Sequence, residues 1–287
     1  MRVRQIAVVA TALISLFITF APNGNASGVP SNKAPHRIIS LSPSATEDLF
    51  AIGAGKQVIA VDSYSNFPAN APTSKLDAFT PNVEAIAKYK PDLVVLQSSA
   101  TKAASVKASL EKLKIKVFYE VTPTNLEGAY AEITALGSVT GNTYGASQTI
   151  KKMKADISKA ITAGKLTSSL PIFHEVDNTL YSATSKTFIG RVYADFNTFN
   201  IADAADTADS YGYPQLTNEY ILKANPAVIF LGDGESAKTV SARAGWNAVD
   251  AVAKNHIAVL PADIPSRWGP RLVNFYQFVS NTLVALK

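Results

Sequence analysis

Residues 82–96 read NVEAIAKYKPDLVVL, and residues 218–231 read NEYILKANPAVIFL. When Glu84 is aligned with Glu219, an isoleucine, a lysine and a proline also coincide, and an apolar run follows each proline. Each stretch is typical of a short helix that begins at an Asn or Thr cap, carries Glu in its first turn and ends before Pro. The repeat therefore predicts two equivalent halves, each with this helix leading into a buried strand.

Around these stretches, short β-branched runs alternate along the chain with segments of helical spacing. Strand and helix repeated in this way indicate a mainly parallel sheet that is covered on both faces. We therefore predict an α/β fold of two Rossmann-like lobes, joined by a single long helix, with a ligand cleft between the lobes. The predicted strands are residues 38–41, 58–61, 93–96, 116–119, 172–176, 227–231 and 257–260.

The same pattern predicts the domain boundaries. The N-terminal lobe covers residues 36–142, the connecting helix residues 143–166 and the C-terminal lobe residues 167–287. Before the first lobe, residues 27–35 are polar and contain proline, which indicates a flexible leader.

Residues 1–26 have the three-part layout of a secretory signal peptide. Two arginines come first, an apolar run extends over residues 6–20, and small residues precede Ser27. The alternative is an uncleaved anchor helix, although the run is shorter than the roughly 20 apolar residues of a membrane span. The chain contains no cysteine, so none could carry a lipid. These features predict an exported, soluble periplasmic protein rather than a lipoprotein.

The composition excludes several classes of function. The formal net charge of +5 is mild, and no basic run interleaved with aromatic residues indicates nucleic-acid binding. The three histidines, His36, His174 and His256, share no metal-ligand spacing, so we predict no metal site. The sequence has no phosphate-binding, dinucleotide-binding, serine-hydrolase or zinc-protease motif, and we therefore assign no catalytic residue.

Some single residues allow two interpretations. His174, beside Glu175, is either an axial contact to a bound metal complex or a histidine at a lobe surface or satisfied within a strand. The acidic cluster of Asp203, Asp206 and Asp209 is typical of a solvated surface loop. Trp246 opens a predicted helix in an apolar context, which favours a packing role.

Glu84 and Glu219 also have two interpretations. A carboxylate near a helix N-terminus contributes up to about 1 kcal/mol through the helix dipole, which explains either residue alone. A matched pair, however, puts like charges at equivalent points of a pseudo-symmetric molecule. That arrangement suits docking onto a two-fold symmetric partner that carries Arg or Lys.

The start of the first lobe, RIISLSPSATE at residues 37–47 and VDSYSNFP at residues 61–68, resembles the opening of the periplasmic vitamin B12 and ferric-siderophore binding proteins. The resemblance continues in the same order through residues 82–96, 217–231, 245–249 and 267–273. It implies two lobes that move little on ligand binding, and delivery of the ligand to a permease dimer powered by a separate ATPase. It also implies that Glu84 and Glu219 engage permease arginines.

In the cobalamin-binding member of that family, a tyrosine after the second strand and an Asp-to-Arg loop before the last helix contact the corrinoid. These positions match Tyr64 and residues 263–267 here. Aromatic rings in loops after strands suit a flat ligand, since they offer a large contact area with few rotors. The alternative for the rings is packing, and the alternative for Arg267 is a salt bridge to Asp263. The predicted ligand contacts are Tyr64, Phe79, Tyr181, Tyr213, Asp263, Ile264, Pro265, Ser266, Arg267 and Trp268, with Phe67, Tyr211 and Arg271 as further candidates.

These inferences predict a monomeric solute-binding protein of an ABC importer, which captures a corrinoid as cargo and needs no cofactor. Where the cobalamin-binding member has a tryptophan-rich lining, this chain has Phe79, Gln97 and Tyr213. A ferric siderophore or haem is therefore the alternative ligand. An extracytoplasmic enzyme or scaffold that reuses the two lobes is the alternative of a different class.

Overall fold

A computed structural model describes residues 34–261 and 263–286, so the predicted signal segment and most of the leader lie outside the described residues. Among the helices of this described part, none is both long enough and apolar enough to cross a membrane. The first sheet contains β1 (Ile38–Leu41), β2 (Val58–Val61), β3 (Leu93–Gln97) and β4 (Lys116–Glu120). The second sheet contains β5 (Leu170–Glu175), β6 (Thr198–Asn200), β7 (Val228–Leu231) and β8 (Ile257–Val259).

The two sheets have the same topology. The strand order is β2-β1-β3-β4 in the first sheet and β6-β5-β7-β8 in the second, with parallel pairing between these strands. Parallel neighbours need long crossovers, which are mostly helices here. The helices are α1 (Pro43–Ala51), α2 (Val83–Lys88), α3 (Ala103–Lys112), α4 (Leu126–Thr140), α5 (Thr143–Gly164), α6 (Phe188–Ala194), α7 (Asn218–Ala224), α8 (Ala237–Ser241), α9 (Asp250–Ala253) and α10 (Leu272–Val284). Short 3-10 helices lie at Gly55–Gln57, Ile201–Ala205, Ala208–Ser210, Trp246–Ala248 and Ile264–Ser266.

The internal sequence repeat corresponds to equivalent structural elements. Helix α2 leads into β3 and α7 leads into β7, and these two strands hold the same place in their sheets. The Asn82 side chain caps α2 by accepting a hydrogen bond from the Ala85 N–H. Thr217 caps α7 in the same way, with the Tyr220 N–H as donor. The helix-to-strand unit that the repeat predicts is therefore confirmed in both halves.

Side chains of neighbouring strand residues point to opposite faces of the sheet and belong to different core clusters. In β3, Leu93 and Val95 belong to a core cluster shared by both sheets, whereas Val94 and Leu96 pack with residues of α2 and α3. Because both faces of the sheet are covered, the strand is apolar throughout rather than alternating. The shared cluster includes buried residues of α4, α5 and α10 and of both sheets, so one continuous apolar core joins the two halves.

The predicted two-lobed α/β fold is confirmed, and the predicted strands are present with shifts of up to two residues at their ends. Helix α5 lies inside the range predicted for the connecting helix, whereas the lobe boundaries themselves stay a prediction. Strand β6 and helix α8 were not predicted, and the helix predicted to open at Trp246 is a 3-10 helix followed by the short α9. Each has only three to five residues, which is too short for a hydrophobic period to show.

Candidate ligand-binding site

Loops at the carboxyl ends of the two sheets contact each other. In open parallel sheets, ligands bind at this edge because the loops there carry the variable side chains. Asn66, in the loop after β2, donates a hydrogen bond from Nδ2 to Asp263 Oδ2 at 2.6 Å. The Trp268 N–H, in the segment after β8, donates to Ser44 Oγ at 3.2 Å. The two halves therefore build one site together.

A buried ion pair reinforces this contact. Arg271 Nη2 lies 2.5 Å from Glu47 Oε1, and Arg267 Nε lies 3.8 Å from the same oxygen. The Glu47 side chain is only 1% exposed. Arg267 Nη2 also lies 3.3 Å from Asp263 Oδ1, which confirms the salt bridge expected as the alternative role of Arg267. We name Glu47, Asn66, Asp263, Arg267 and Arg271 the interlobe clasp.

The first half contributes a pair of aromatic rings. Asp62 is buried and holds the loop after β2, because it accepts hydrogen bonds from the Tyr64 N–H at 2.8 Å and from Ser65 Oγ at 2.6 Å. Burial raises the pKa of the Asp62 carboxyl. The Tyr64 ring packs edge-on against Phe79, with centroids 5.1 Å apart. Both rings are about half exposed, so this loop presents aromatic surface to solvent.

The second half contributes Tyr181, Tyr213 and Trp268. The Trp268 ring packs against Phe188 at a centroid distance of 4.9 Å. The Tyr213 side chain hydrogen-bonds Thr187, which caps α6 immediately before Phe188. Tyr181 and Tyr213 are each more than a third exposed. The start of α6 therefore links Tyr213 and Trp268 in one aromatic group.

Other predicted contacts have different surroundings. Ile264 belongs to the shared core and Pro265 is also buried, which corrects the expectation that their side chains contact a ligand. Ser266 is exposed. Phe67 lies 4.5 Å from the Arg271 guanidinium carbon, measured to the ring centroid, and Tyr211 is 86% exposed. Phe67 therefore contacts the clasp through Arg271. Tyr211 is too exposed to have a packing role.

Burial decides between the interpretations of three further residues. His174 is buried and shares a hydrogen bond of 2.8 Å between Nδ1 and the Tyr193 hydroxyl, and burial lowers its pKa to about 3. It is a neutral, satisfied strand histidine, and the axial-contact and lobe-surface alternatives are wrong. Trp246 is fully buried, as predicted. The Asp206 side chain is 2% exposed and lies 2.7 Å from Lys186 Nζ, so the predicted solvated surface is wrong for this residue.

A group of buried acids adjoins the clasp. Asp48 follows Glu47 in α1, Glu120 ends β4 and Glu132 lies in α4. Burial, together with the charges of Glu120 and Glu47, raises the pKa of Asp48 well above its usual range. Burial and the charges of Glu120 and Asp48 raise the pKa of Glu132 to about 10, and Glu132 hydrogen-bonds the Glu120 side chain. Glu132 is therefore protonated at neutral pH.

The raised pKa of Glu132 predicts stability that declines in alkali. Between pH 4.5 and about 10, the folded protein holds a proton that the unfolded chain has released. The free energy of unfolding therefore falls as pH rises, by up to about 1.4 kcal/mol per pH unit from this group. Glu132→Gln keeps a neutral hydrogen-bond donor, so urea denaturation at pH 6, 7.5 and 9 should show a shallower decline.

Glu127→Gln is the matched control for that experiment, because Glu127 lies on the same helix with its side chain 80% exposed. The free energy of unfolding of Glu127→Gln should depend on pH in the same way as that of the parent protein. If the free energy of unfolding of Glu132→Gln declines with pH as steeply as that of the parent, Glu132 does not hold the proton assigned to it.

A pocket of about 320 Å³ lies between the start of α4 and helices α6 and α10. Asn125 and Glu127 line it from the first half, and Phe188 and Arg191 line it from the second. Because Phe188 also packs against Trp268, the pocket adjoins the aromatic group. Sequence reasoning missed this pocket, since its lining residues come from three helices and the positions beside them and share no motif.

The two glutamates of the repeat are both exposed. Glu84 lies in the first turn of α2 and Glu219 in the first turn of α7. Because these helices hold equivalent places, the carboxylates lie at corresponding points of the two halves.

The fold and its site, with aromatic loops where two parallel sheets meet, define the class of two-lobed α/β solute-binding proteins. Residues 38–264 match the family model described as periplasmic binding protein. The chain belongs to the periplasmic binding protein family, which confirms the resemblance seen in its sequence. This family consists of substrate-binding proteins rather than enzymes, and its ligands are cargo.

Known proteins extend this assignment. An uncharacterized ABC transporter substrate-binding lipoprotein, YvrC of Bacillus subtilis, is 32% identical over 253 residues, or 85% of this chain and 79% of that protein. A vitamin B12-binding protein of Pectobacterium carotovorum is 28% identical over 262 residues, or 88% of this chain and 90% of that protein. The structure of a possible iron-binding, periplasmic solute-binding protein of Staphylococcus epidermidis has a TM-score of 0.76 at 26% identity, covering 87% of this chain and 99% of that one. The chain is a solute-binding protein of an ABC importer, a class that works with a permease and an ATPase.

Proposed function

We propose that this protein is exported, captures a corrinoid of the vitamin B12 type and delivers it to an ABC permease dimer. One observation supports the assignment of the ligand site. The loop with Tyr64, from the first half, and the loop with Trp268, from the second half, are joined by the Asn66–Asp263 hydrogen bond. Rings from both halves can therefore contact one flat ligand at the same time. The vitamin B12-binding relative, similar along nearly its whole length, supports a corrinoid.

The charges of the clasp support the same ligand. Arg267 and Arg271 lie next to Trp268, and each is paired with Glu47 or Asp263. A carboxylate at contact distance offsets a guanidinium charge and so weakens its attraction for an anion. A corrinoid of the vitamin B12 type carries uncharged amide side chains and one phosphodiester, and is neutral overall as cyanocobalamin, whereas haem and ferric catecholates carry a net negative charge. The paired arginines therefore favour the corrinoid.

A ferric siderophore or haem is the second candidate ligand. The similar protein of Staphylococcus epidermidis is a possible iron-binding protein, which favours an iron complex for a chain of this fold. Half-exposed tyrosine and phenylalanine rings also suit either of these flat or aromatic ligands.

Docking to the permease is assigned to Glu84 and Glu219. Each carboxylate is exposed at the start of an equivalent helix, which suits a partner with two-fold symmetry and two arginine sites. We further propose that the binding protein acts as a monomer in the periplasm. The Bacillus relative is a lipoprotein, whereas this sequence has no cysteine to carry a lipid.

Absorbance titrations distinguish the candidate ligands. The purified protein is titrated with cyanocobalamin, haemin and ferrichrome, since each has its own visible band. Saturable binding of cyanocobalamin with the weakest response to haemin supports the corrinoid assignment. Saturation by haemin or ferrichrome alone would assign the cargo to the second candidate. Mass spectrometry of ligand that co-purifies with the protein provides an independent answer.

Truncating the first-half aromatic pair should weaken ligand binding. Tyr64→Ala and Phe79→Ala each remove a half-exposed ring, so we expect at least a roughly tenfold loss of cyanocobalamin affinity, or about 1.4 kcal/mol. The melting temperature should change little, because neither ring is buried. Tyr144→Ala is the control, since Tyr144 is 79% exposed on α5, away from the carboxyl ends of the sheets. Unchanged affinity in both loop variants would remove this pair from the site.

A further inference from the structure

We propose that Glu47 is a positioning residue for the ligand: from the first half, it fixes the loop of the second half that carries Trp268. The proposal rests on the proposed function, because it takes residues 263–268 as a ligand-contacting loop. Glu47 itself does not touch the ligand, since its side chain is 1% exposed beneath Arg271.

The loop before α10 has no helix cap of its own, although Ile264 is buried in the shared core and Arg267 pairs with Asp263. The 3-10 helix Ile264–Ser266 has no side-chain cap, and neither does α10, whose cap residue is Arg271. A helix start without a side-chain cap leaves its first N–H groups dependent on other partners. Contacts from outside the loop therefore contribute to its conformation.

The outside anchors come from the opposite half. Glu47 binds Arg271 at 2.5 Å, Asn66 binds Asp263 at 2.6 Å, and Ser44 accepts from the Trp268 N–H at 3.2 Å. Two of these three anchors are residues of α1, and the Glu47 contact is a charged, buried one. Charge-assisted hydrogen bonds are roughly twice as strong as neutral ones, and the Asn66–Asp263 bond is also of this kind. Only the Glu47–Arg271 contact, however, joins two charged groups in a buried place. Glu47 is thus the principal anchor of the loop.

The packing of Gly269 shows that the loop is pressed directly against α1. A Cβ placed on Gly269 would lie 3.0 Å from Asp48 Oδ1 and 3.1 Å from the Ser44 carbonyl oxygen. No space remains between the loop and the helix at this point. Loss of the Glu47 contact cannot be offset by a closer approach, so any movement of the loop that follows is outward.

Tryptophan fluorescence reports this movement. The chain has two tryptophans, of which Trp246 is fully buried in the second half and Trp268 is partly buried in the loop. Emission accessible to iodide therefore comes from Trp268. In Glu47→Gln we expect a red shift of the emission, at least twofold stronger iodide quenching and a roughly tenfold faster dissociation of cyanocobalamin.

Two variants complete the design. Asn66→Ala removes an anchor at the exposed rim and should produce a smaller change in the same direction, even if Glu47→Gln folds poorly. Glu111→Gln removes an exposed carboxylate that pairs with Lys107 and should change neither fluorescence nor dissociation.

The readouts separate the failure of this proposal from the failure of the proposed function. Unchanged iodide quenching of Trp268 in folded Glu47→Gln overturns the positioning role, and unchanged quenching in Asn66→Ala overturns it if Glu47→Gln does not fold. Increased quenching with unchanged cyanocobalamin dissociation overturns the ligand role of the loop, on which the proposal rests. Increased quenching together with faster dissociation supports both.

Discussion

Reversing both docking charges, with Glu84→Arg and Glu219→Arg in one protein, is expected to abolish transport while leaving cyanocobalamin affinity unchanged. Like charges brought together in an interface cost several kcal/mol, and each 1.4 kcal/mol is about tenfold in affinity. With one such contact in each half, permease affinity should fall by at least about a hundredfold. Neither glutamate is among the residues that build the candidate ligand site, so the ligand affinity should be unchanged.

The measurement is uptake of cyanocobalamin into proteoliposomes that contain the cognate permease and ATPase, together with a ligand titration of the free protein. The matched control reverses Glu111 and Asp250, one in each half, which changes the net charge by the same amount. Each control residue forms a surface ion pair with a lysine one helical turn away. Such exposed pairs contribute little to the stability of the fold. Retained uptake by the Glu84 and Glu219 variant would exclude these residues from docking.

Breaking the clasp at Arg271 is expected to have the largest effect on stability. Arg271→Met leaves the Glu47 carboxylate buried without its closest partner, a change that typically costs about 3 kcal/mol or more. Burial already raises the pKa of Glu47, and Arg271 opposes that rise. Without Arg271 the pKa rises further, so Glu47 takes up a proton more readily. The loss of stability should therefore be largest at pH 8 and smaller at pH 5.

Chemical denaturation at both pH values measures this loss. Glu47→Leu combined with Arg271→Met should regain most of the stability, because no unpaired charge is then buried. Lys107→Met is the control: it breaks an exposed ion pair of 2.8 Å, and we expect a loss of no more than about 0.5 kcal/mol. A loss at Arg271 as small as that of the control, or one independent of pH, would contradict the buried pair.

The sequence predicted the fold well because its signals are local. The cap, the first-turn glutamate and the proline of α2 lie within ten residues of each other, and the same signals recur at α7. Apolar β-branched runs likewise identify strands that are buried on both faces. For the candidate site, Tyr64 and Phe79 were assigned through the family resemblance. The structure places the two rings in contact and about half exposed, and their contact with a ligand stays a prediction.

The other features of the site depend on burial and on contacts between residues that are far apart in the sequence. Ile264 and Pro265 lie in the predicted ligand loop, yet both are buried, and Ile264 belongs to the shared core. His174 was open to two interpretations until the structure placed it beside Tyr193 inside the second half.

Taken alone, the sequence determined the repeated helix-strand unit, the two-lobed class and the matched pair of first-turn glutamates, since capping and hydrophobic periodicity act between neighbouring residues. The contacts of the clasp that join the two halves were decided only by the tertiary structure. Glu47 and Arg271 are 224 positions apart, and each alone is an ordinary charged residue. They become a strong pair because the loop before α10 covers α1 and excludes water, and that exclusion is a property of packing rather than of any local pattern.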